Sequence, residues 1–159
     1  MANLFLKIDG IPGESLDSKH KDEIELVSFG WGVTQAVAES PGAGGGAAGR
    51  AHFQDFHFTM RVNKASPQLF LACAAGKHIK EANLSVRRTQ KEQVEYLKIK
   101  FSDLLVTSFQ EGDTDGEVPQ ESIAFAFSRI QLEYRPQSAR GAAGAAITAG
   151  WDLSKNVKL

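Results

Sequence analysis

Apolar side chains return at every second position along most of this chain, and the places where that alternation slips constrain the fold most. Leu4, Leu6 and Ile8 alternate with Asn3, Phe5 and Lys7 until Gly10-Ile11-Pro12-Gly13 ends the run. Leu84 and Val86, then Leu97, Ile99, Phe101 and Leu105, keep the same period of two, which marks a strand with one buried face. Ile24 and Leu26 are even-numbered, but Val27, Phe29, Trp31 and Val33 are odd; Ile123, Phe125 and Phe127 are odd, but Ile130, Leu132 and Tyr134 are even. A slip of one residue turns every following side chain to the other face. Both stretches therefore need a bulge or a sharp bend to keep their apolar groups in one core. Strands that turn corners predict a barrel rather than a flat sheet, so the expected fold is mainly β. Ile147 to Leu153 gives a last, weaker strand.

One segment has a different period. In KASPQLFLACAAG, residues 64–76, Ser66 is expected to cap the free N–H groups, Pro67 suits the first helical position and Gly76 the left-handed C′ site. Leu69, Ala72, Cys73 and Gly76 recur at helical spacing. A short helix over 66–76 is expected to lay that face on the barrel, with Cys73 as an inert thiol in an apolar setting.

A chain of 159 residues fits one domain spanning 1–159. At that length roughly 70% of the unfolded chain's surface can be buried, enough for a core without disulfides. The lone Cys73 cannot form an internal bridge. With 18 basic and 19 acidic residues interspersed, no basic field exists to hold a polyanion, and nucleic acid is not an expected partner. The opening MANLFLKIDGIPGES meets Lys7 and Asp9 before any apolar run of signal-peptide length, and no stretch reaches about 18 apolar residues. Synthesis in the cytoplasm, no Sec signal and no membrane insertion are expected; export by a machine that reads folded proteins stays open.

Candidate chemistry is sparse. Residues 44–49, GGGAAG, match the letters of a dinucleotide-binding loop, but a phosphate there needs a helix beginning at the last glycine. Instead Gly49 leads into RAHFQDFHFTMRV, a strand pattern, and Arg50-Ala51 stands where a P-loop needs Lys-Ser or Lys-Thr. His52, Asp55 and His57 have the residue types of a divalent metal site, yet on a strand His52 faces away from Asp55 and His57. Glu111, Asp113, Asp115 and Glu117 lie in EGDTDGEVPQE, a Gly-punctuated turn with nothing apolar to raise one carboxyl as a general acid. No G-x-S-x-G element is present. The residues predict no enzyme, no cofactor and no metal.

Two segments are compositionally unusual. Residues 38–50 hold five Gly, four Ala and one Pro; residues 139–150 hold three Gly and six Ala. Neither has the charge of a solvated tail or the period of a core element, so both are expected to be arms or connectors lying on something. An outward-facing Phe53 with Asp55, His57 and Arg61, and Trp151 in the last strand, are the candidate subunit contacts, since closed rotational symmetry hides such surface without runaway fibres.

An all-β domain with one helix, no reactive site and two Gly/Ala arms suits a building block. LFLKIDGIPGES, VSFGWGV, GRAHFQDFHFTMRVNKASPQLFLACAAGKHIKEANLSVRR, YLKIKFSDLLVTSF, VPQESIAFAFSRIQLEYRPQ and AGWDLSKNVKL, in that order, resemble the haemolysin-coregulated protein (Hcp) family, the tube protein of the type VI secretion system. The resemblance implies a two-sheet β-barrel with a flanking helix, a homohexameric ring, and rings stacked into a hollow tube. It also implies a spike protein at the tip, a contractile sheath around the tube, small effectors in the lumen, and secretion with the tube. An alternative is a discrete ring that acts as an effector-binding chaperone or adaptor and never stacks. The family's projecting loop corresponds to residues 38–50, which makes Glu39, Pro41, Gly42, Gly44, Gly45, Gly46, Gly49 and Arg50 the expected ring-to-ring contacts. The chain ends at Leu159 without the toxin extension of some relatives, so it is not expected to be a toxin itself.

Overall fold

The structure is a computed structural model that describes residues 3–38, 47–88, 94–113, 118–137 and 144–159. Its elements in chain order are β1 (Asn3–Ile8), β2 (Ile24–Glu25), β3 (Ser28–Gly30), β4 (Val33–Ala38), β5 (Ala47–Phe53), β6 (Phe56–Arg61), α1 (Ser66–Ala75), β7 (His78–Arg87), β8 (Glu95–Gly112), β9 (Gln120–Tyr134), β10 (Ile147–Asp152) and β11 (Val157–Lys158). The protein is mainly β with one helix, as the alternation requires. A nine-stranded antiparallel sheet runs β11-β10-β9-β8-β7-β1-β2, with β6 added to β9 and β3 to β6; β4 and β5 form a separate two-stranded ribbon. Along β9 one edge pairs with β8, while the other is shared, β6 holding Gln120–Phe125 and β10 holding Arg129–Tyr134.

The two phase slips sit at the two places where the sheet changes direction. At the first, β2 pairs with β1 and β3 with β6. The chain crosses between them at Leu26, whose N–H donates to Leu4 O at 3.0 Å, and Val27, whose N–H donates to Thr59 O at 2.8 Å. The sheet thus curls until its two ends rest on consecutive stretches of one strand. It is not a continuously closed ladder, which corrects the expected barrel: a strand that turns over midway cannot pair with both neighbours along its full length. At the second slip, Phe101 faces Ile130 and Leu104 faces Phe127, so β8 and β9 shift phase together. Asp103 at φ 56° makes the turn-over in β8. Leu104 and Val106 therefore point inward and Leu105, expected inward from the sequence, is exposed.

The core is centred on aromatic rings brought together by this curvature. Phe56 lies 4.7 Å from Phe101 and 5.0 Å from Phe125, and Phe101 lies 5.2 Å from Phe125, ring centre to ring centre. All three are fully buried. Each contributes about 1.5–3 kcal/mol by burial, and such ring pairs add about 0.5–1.5 kcal/mol.

Phe5, assigned by alternation to the polar face of β1, is buried as well. The loop between Ile11 and Ile24 folds over that face. His20 stacks on the Phe5 ring at 4.4 Å with the planes 10° apart, and the Arg87 guanidinium lies 4.7 Å from the same ring centre. Arg87 is gripped by both carboxylate oxygens of Asp17. His20 Nδ1 meets Glu23 at 2.8 Å and Nε2 meets Glu95. Glu14 accepts the Lys64 N–H at 3.0 Å, tying the loop to the approach of α1.

Helix α1 departs from the sequence reading at its start and agrees at its end. Ser66 lies in the first turn and is not the cap. Asn63 Oδ1 accepts the Ala65 N–H at 2.8 Å, while Ser66 Oγ accepts the Asn63 N–H at 3.0 Å and donates to buried Glu121. The preceding Asn turn satisfies the free donors, which releases the serine for the sheet. Gly76 is left-handed at φ 62°; Lys77 N–H donates to Ala72 O at 3.0 Å and Gly76 N–H to Cys73 O at 3.3 Å, the paired bonds of a Schellman ending. Leu69 and Ala72 are buried and Cys73 is half-buried, whereas Phe70 and Leu71 face outward.

Two predictions test this architecture. Leu69→Ala should lower unfolding stability by about 2–5 kcal/mol, and Leu71→Ala, two residues on, by no more than about 0.5 kcal/mol; urea titrations of both variants check which helix face is inward. Hydrogen bonding from Arg87 holds the Asp17 carboxyl down at about 2, below its ordinary 3.8. The ionised form is thus the one the fold favours, and the clasp's contribution is present above 3.8 and lost as pH falls through about 2. Hydrogen exchange of the loop amides should show loosening across that window, and Asp17→Asn should be loose above it too.

Candidate assembly surface

The β4–β5 ribbon turns the flanks of the Gly/Ala segment into structure. Glu39, Pro41, Gly42, Gly44, Gly45 and Gly46 lie outside the described residues. Residues 47–50, expected to be loop, belong to β5, with Ala47 facing Ala38 and Ala48 facing Val37. The register shifts between Gln35 and Val37. There a Cβ on Gly49 would stand 2.6 Å from Ala36 O, so this position accepts only glycine without the backbone moving. One residue later the Arg50 Nη2 donates to Leu153 O at 3.0 Å, pinning the middle of β5 to the end of β10.

Between ribbon and β10 lies an open pocket of about 560 Å³ lined by Val33, Gly49, Ala51, Phe53, Trp151 and Asn156 among others. Phe53 meets Phe127 edge-on at 6.1 Å and, like Trp151, is half-buried against the core. Alternation places Phe53 on an outward face shared with Asp55, His57 and Arg61. The expected single strand over 52–62 is instead broken at Gln54–Asp55, and that break puts the two groups on different surfaces. The turn joining β10 to β11 is held by buried Asp152, which accepts Ser154 Oγ–H at 2.6 Å, Lys155 N–H at 3.0 Å and Arg129 Nε–H at 3.3 Å. The serine hydrogen bond, with the other two, keeps its carboxyl below the ordinary range. Val33, at the pocket, is 50% exposed, and Val37 (64%) on β4, Ile147 (63%) on β10 and Val157 (47%) on β11 also present apolar surface to solvent.

The remaining candidates lie elsewhere. Asp55 accepts the Thr107 hydroxyl proton at 2.7 Å. His57, exposed on β6, lies against Gly30, where a Cβ would come within 2.5 Å of Nε2. Arg61 borders a second groove of about 740 Å³ along the seam between β1 and β6, with Leu4, Leu26, Val27 and Val118. Among the described residues no three His, Cys, Asp or Glu side chains gather as metal ligands. His52 and His57 occupy separate strands, β5 and β6. Asp115 and Glu117 of the acidic turn fall outside the described residues.

Sequence reasoning put Val27 and Val33 in the core with Phe29 and Trp31, yet both are exposed, and it assigned exposed Val37 no face. It also missed the Arg87–Asp17 and Ser66–Glu121 contacts. Leu84-Ser85-Val86-Arg87 reads as a strand with one polar face, and the structure buries all four residues.

Comparison with known proteins gives one answer. Residues 5–134 match the family described as type VI secretion system effector, Hcp. The chain is 38% identical over 159 residues to protein Hcp1 of Pseudomonas aeruginosa, covering 98% of each. Among solved structures it resembles one described as a type six secretion system protein, with a TM-score of 0.95 and 31% identity over 100% of both chains. It also resembles Hcp1 from Salmonella typhimurium, with a TM-score of 0.82 and 38% identity over 99% of both. A family match across most of its length and a full-length relative at this identity place the chain in the Hcp family of type VI secretion system proteins.

Proposed function

We propose that this chain is the non-enzymatic building block of a type VI secretion tube: six copies close into a ring, and rings stack into a hollow tube that is itself secreted. The observation that carries the reading is the β4–β5 ribbon, separate from the main sheet and exposing Val33 and Val37, together with Ile147 and Val157 exposed on β10 and β11. A two-stranded ribbon is marginal alone in water. Apolar side chains along it gain about 25 cal/mol for each Å² covered, and a neighbouring copy in a closed ring offers that cover. Phe53 and Trp151 brace the ribbon and β10 from within, so that their outer faces form one surface. Asp55, His57 and Arg61 on the other side are proposed as contacts with the opposite neighbour.

Residues 39–46 join β4 to β5 in sequence, and Gly-rich segments are costly to order without a partner. Fixing such an arm is offset when several symmetry-related copies dock together, each raising the effective concentration of the next. The arm is therefore proposed to join ring to ring, with Arg50 anchoring its base. Spike protein, contractile sheath and small lumenal effectors are the partners this role entails.

Two experiments test the proposal. The parent protein should run as a hexamer in native mass spectrometry at micromolar concentration. Val33→Asp with Val37→Asp should give a folded monomer with unchanged circular dichroism; a hexamer that survives both changes overturns the ribbon interface. Joining Ala38 to Ala47 by an Asn-Gly turn in place of residues 39–46, which leaves Gly49 and Arg50 in β5, should keep rings but abolish tubes in negative-stain images and secretion into the medium. Normal tubes and export from that variant would remove the arm from stacking, and rings of the parent that never stack would favour the discrete chaperone instead.

A further inference from the structure

Where α1 meets the end of the sheet, one carboxylic acid is sealed inside the protein. Glu121 is fully buried, with an exposure of 0%. Its Oε1 accepts the Ser66 hydroxyl proton, and Oε2 is buried without a hydrogen-bond partner. Its neighbours across the two ladders are Met60 on β6 and Glu111 on β8. Arg61, the next residue along β6, is exposed where Met60 is buried, so it serves the opposite face. From the α1 side come Ser66 and Asn63, the latter donating to Met60 Sδ at 3.3 Å. Among the described residues no cation pairs with Glu121, and the one charged group opposite it is another carboxylate.

We propose that Glu121 is a proton-operated latch for helix α1: with one proton taken from solvent onto Oε2 it closes the first turn onto the sheet through Ser66, and on losing that proton it lets the turn open. The protonated acid is a neutral group that accepts from Ser66 and needs little solvation. The ionised acid leaves one oxygen of a full negative charge unpaired in a dry site, facing Glu111, a state that burial makes costly. Burial pushes the Glu121 carboxyl up from its ordinary range and Glu111 adds to the rise, while the Ser66 hydrogen bond acts against it. The folded state thus binds the proton more tightly than the unfolded chain, and the latch's contribution is present at low pH and lost as pH rises through the folded value. Because Ser66 also accepts the Asn63 N–H, the change passes directly to the turn that starts α1.

The test is amide hydrogen exchange on the assembled protein between pH 5 and 9, read in peptides spanning residues 63–75 and corrected for the intrinsic pH dependence of exchange. Opening of the first turn should grow by up to about tenfold per pH unit between the carboxyl's ordinary range and its raised value in the closed turn, the limit for release of one proton, and level off above that. Glu121→Gln, which keeps the acceptor for Ser66 and carries no charge, should hold the turn protected at every pH. Glu111→Gln should bring the levelling-off to lower pH, with a smaller total rise, by removing the facing charge's repulsion. A flat profile in the parent protein, or a profile that Glu121→Gln leaves unchanged, overturns the latch. If Glu121→Gln does not fold, Glu111→Gln decides alone, and a levelling-off that it does not bring to lower pH overturns the proposal.

Discussion

The fold depends on one stretch of chain doing two jobs. Residues 24–30 pair with β1 until Leu26 and with β6 from Val27, and the two backbone hydrogen bonds at that crossing bring the ends of the sheet together. Without the turn-over, Phe29 and Trp31 would face solvent while Ile24 and Leu26 faced the core. The matched slip of β8 and β9 around Asp103 and Ser128 repeats the device on the far side, which lets a sheet of long strands wrap around Phe56, Phe101 and Phe125 without a gap.

Closing a sheet in this way leaves material over, and the surplus is where assembly is proposed to occur. The chain that leaves β3 cannot return to the sheet until β6, and in between it forms the β4–β5 ribbon. Arg50 ties that ribbon to the body midway along β5 by a hydrogen bond to Leu153, and Gly49 lets its two strands approach closely at Ala36. The ribbon is thus held partway along and apolar at both Val33 and Val37. The polar clasp over Phe5 does the reverse: Asp17, His20 and Arg87 seal a face that the sheet alone leaves open, with Arg87 gripped by Asp17 through both terminal nitrogens and His20 held between Glu23 and Glu95, while Arg87 Nε is buried without a partner.

Much of this was legible in residue order because the signals were local. Alternation located β1, β7, β8, β9 and the weaker β10, the slips at residues 26 and 128 located the corners, and Pro67 with Gly76 bracketed the helix. The errors share one cause. Neighbours in sequence give Phe5, Leu105, Ser66 and Phe53 the wrong face or role, and each is reassigned by a residue far along the chain or by a backbone turn-over: Arg87 over Phe5, Asp103 before Leu105, Glu121 beyond Ser66, and the break at Gln54–Asp55 beside Phe53.

The sequence by itself determined that the chain is a β protein with two corners, one helix, a Gly/Ala-rich segment and the full-length pattern of an Hcp-family member, because period, turn chemistry and motif order are properties of adjacent residues. Only the tertiary structure decided which faces are inside. It placed Phe53 and Trp151 on one pocket and Asp55, His57 and Arg61 away from it, paired Arg87 with Asp17, and sealed Glu121 behind Ser66. Burial is a property of what packs above a side chain, and no local pattern specifies that.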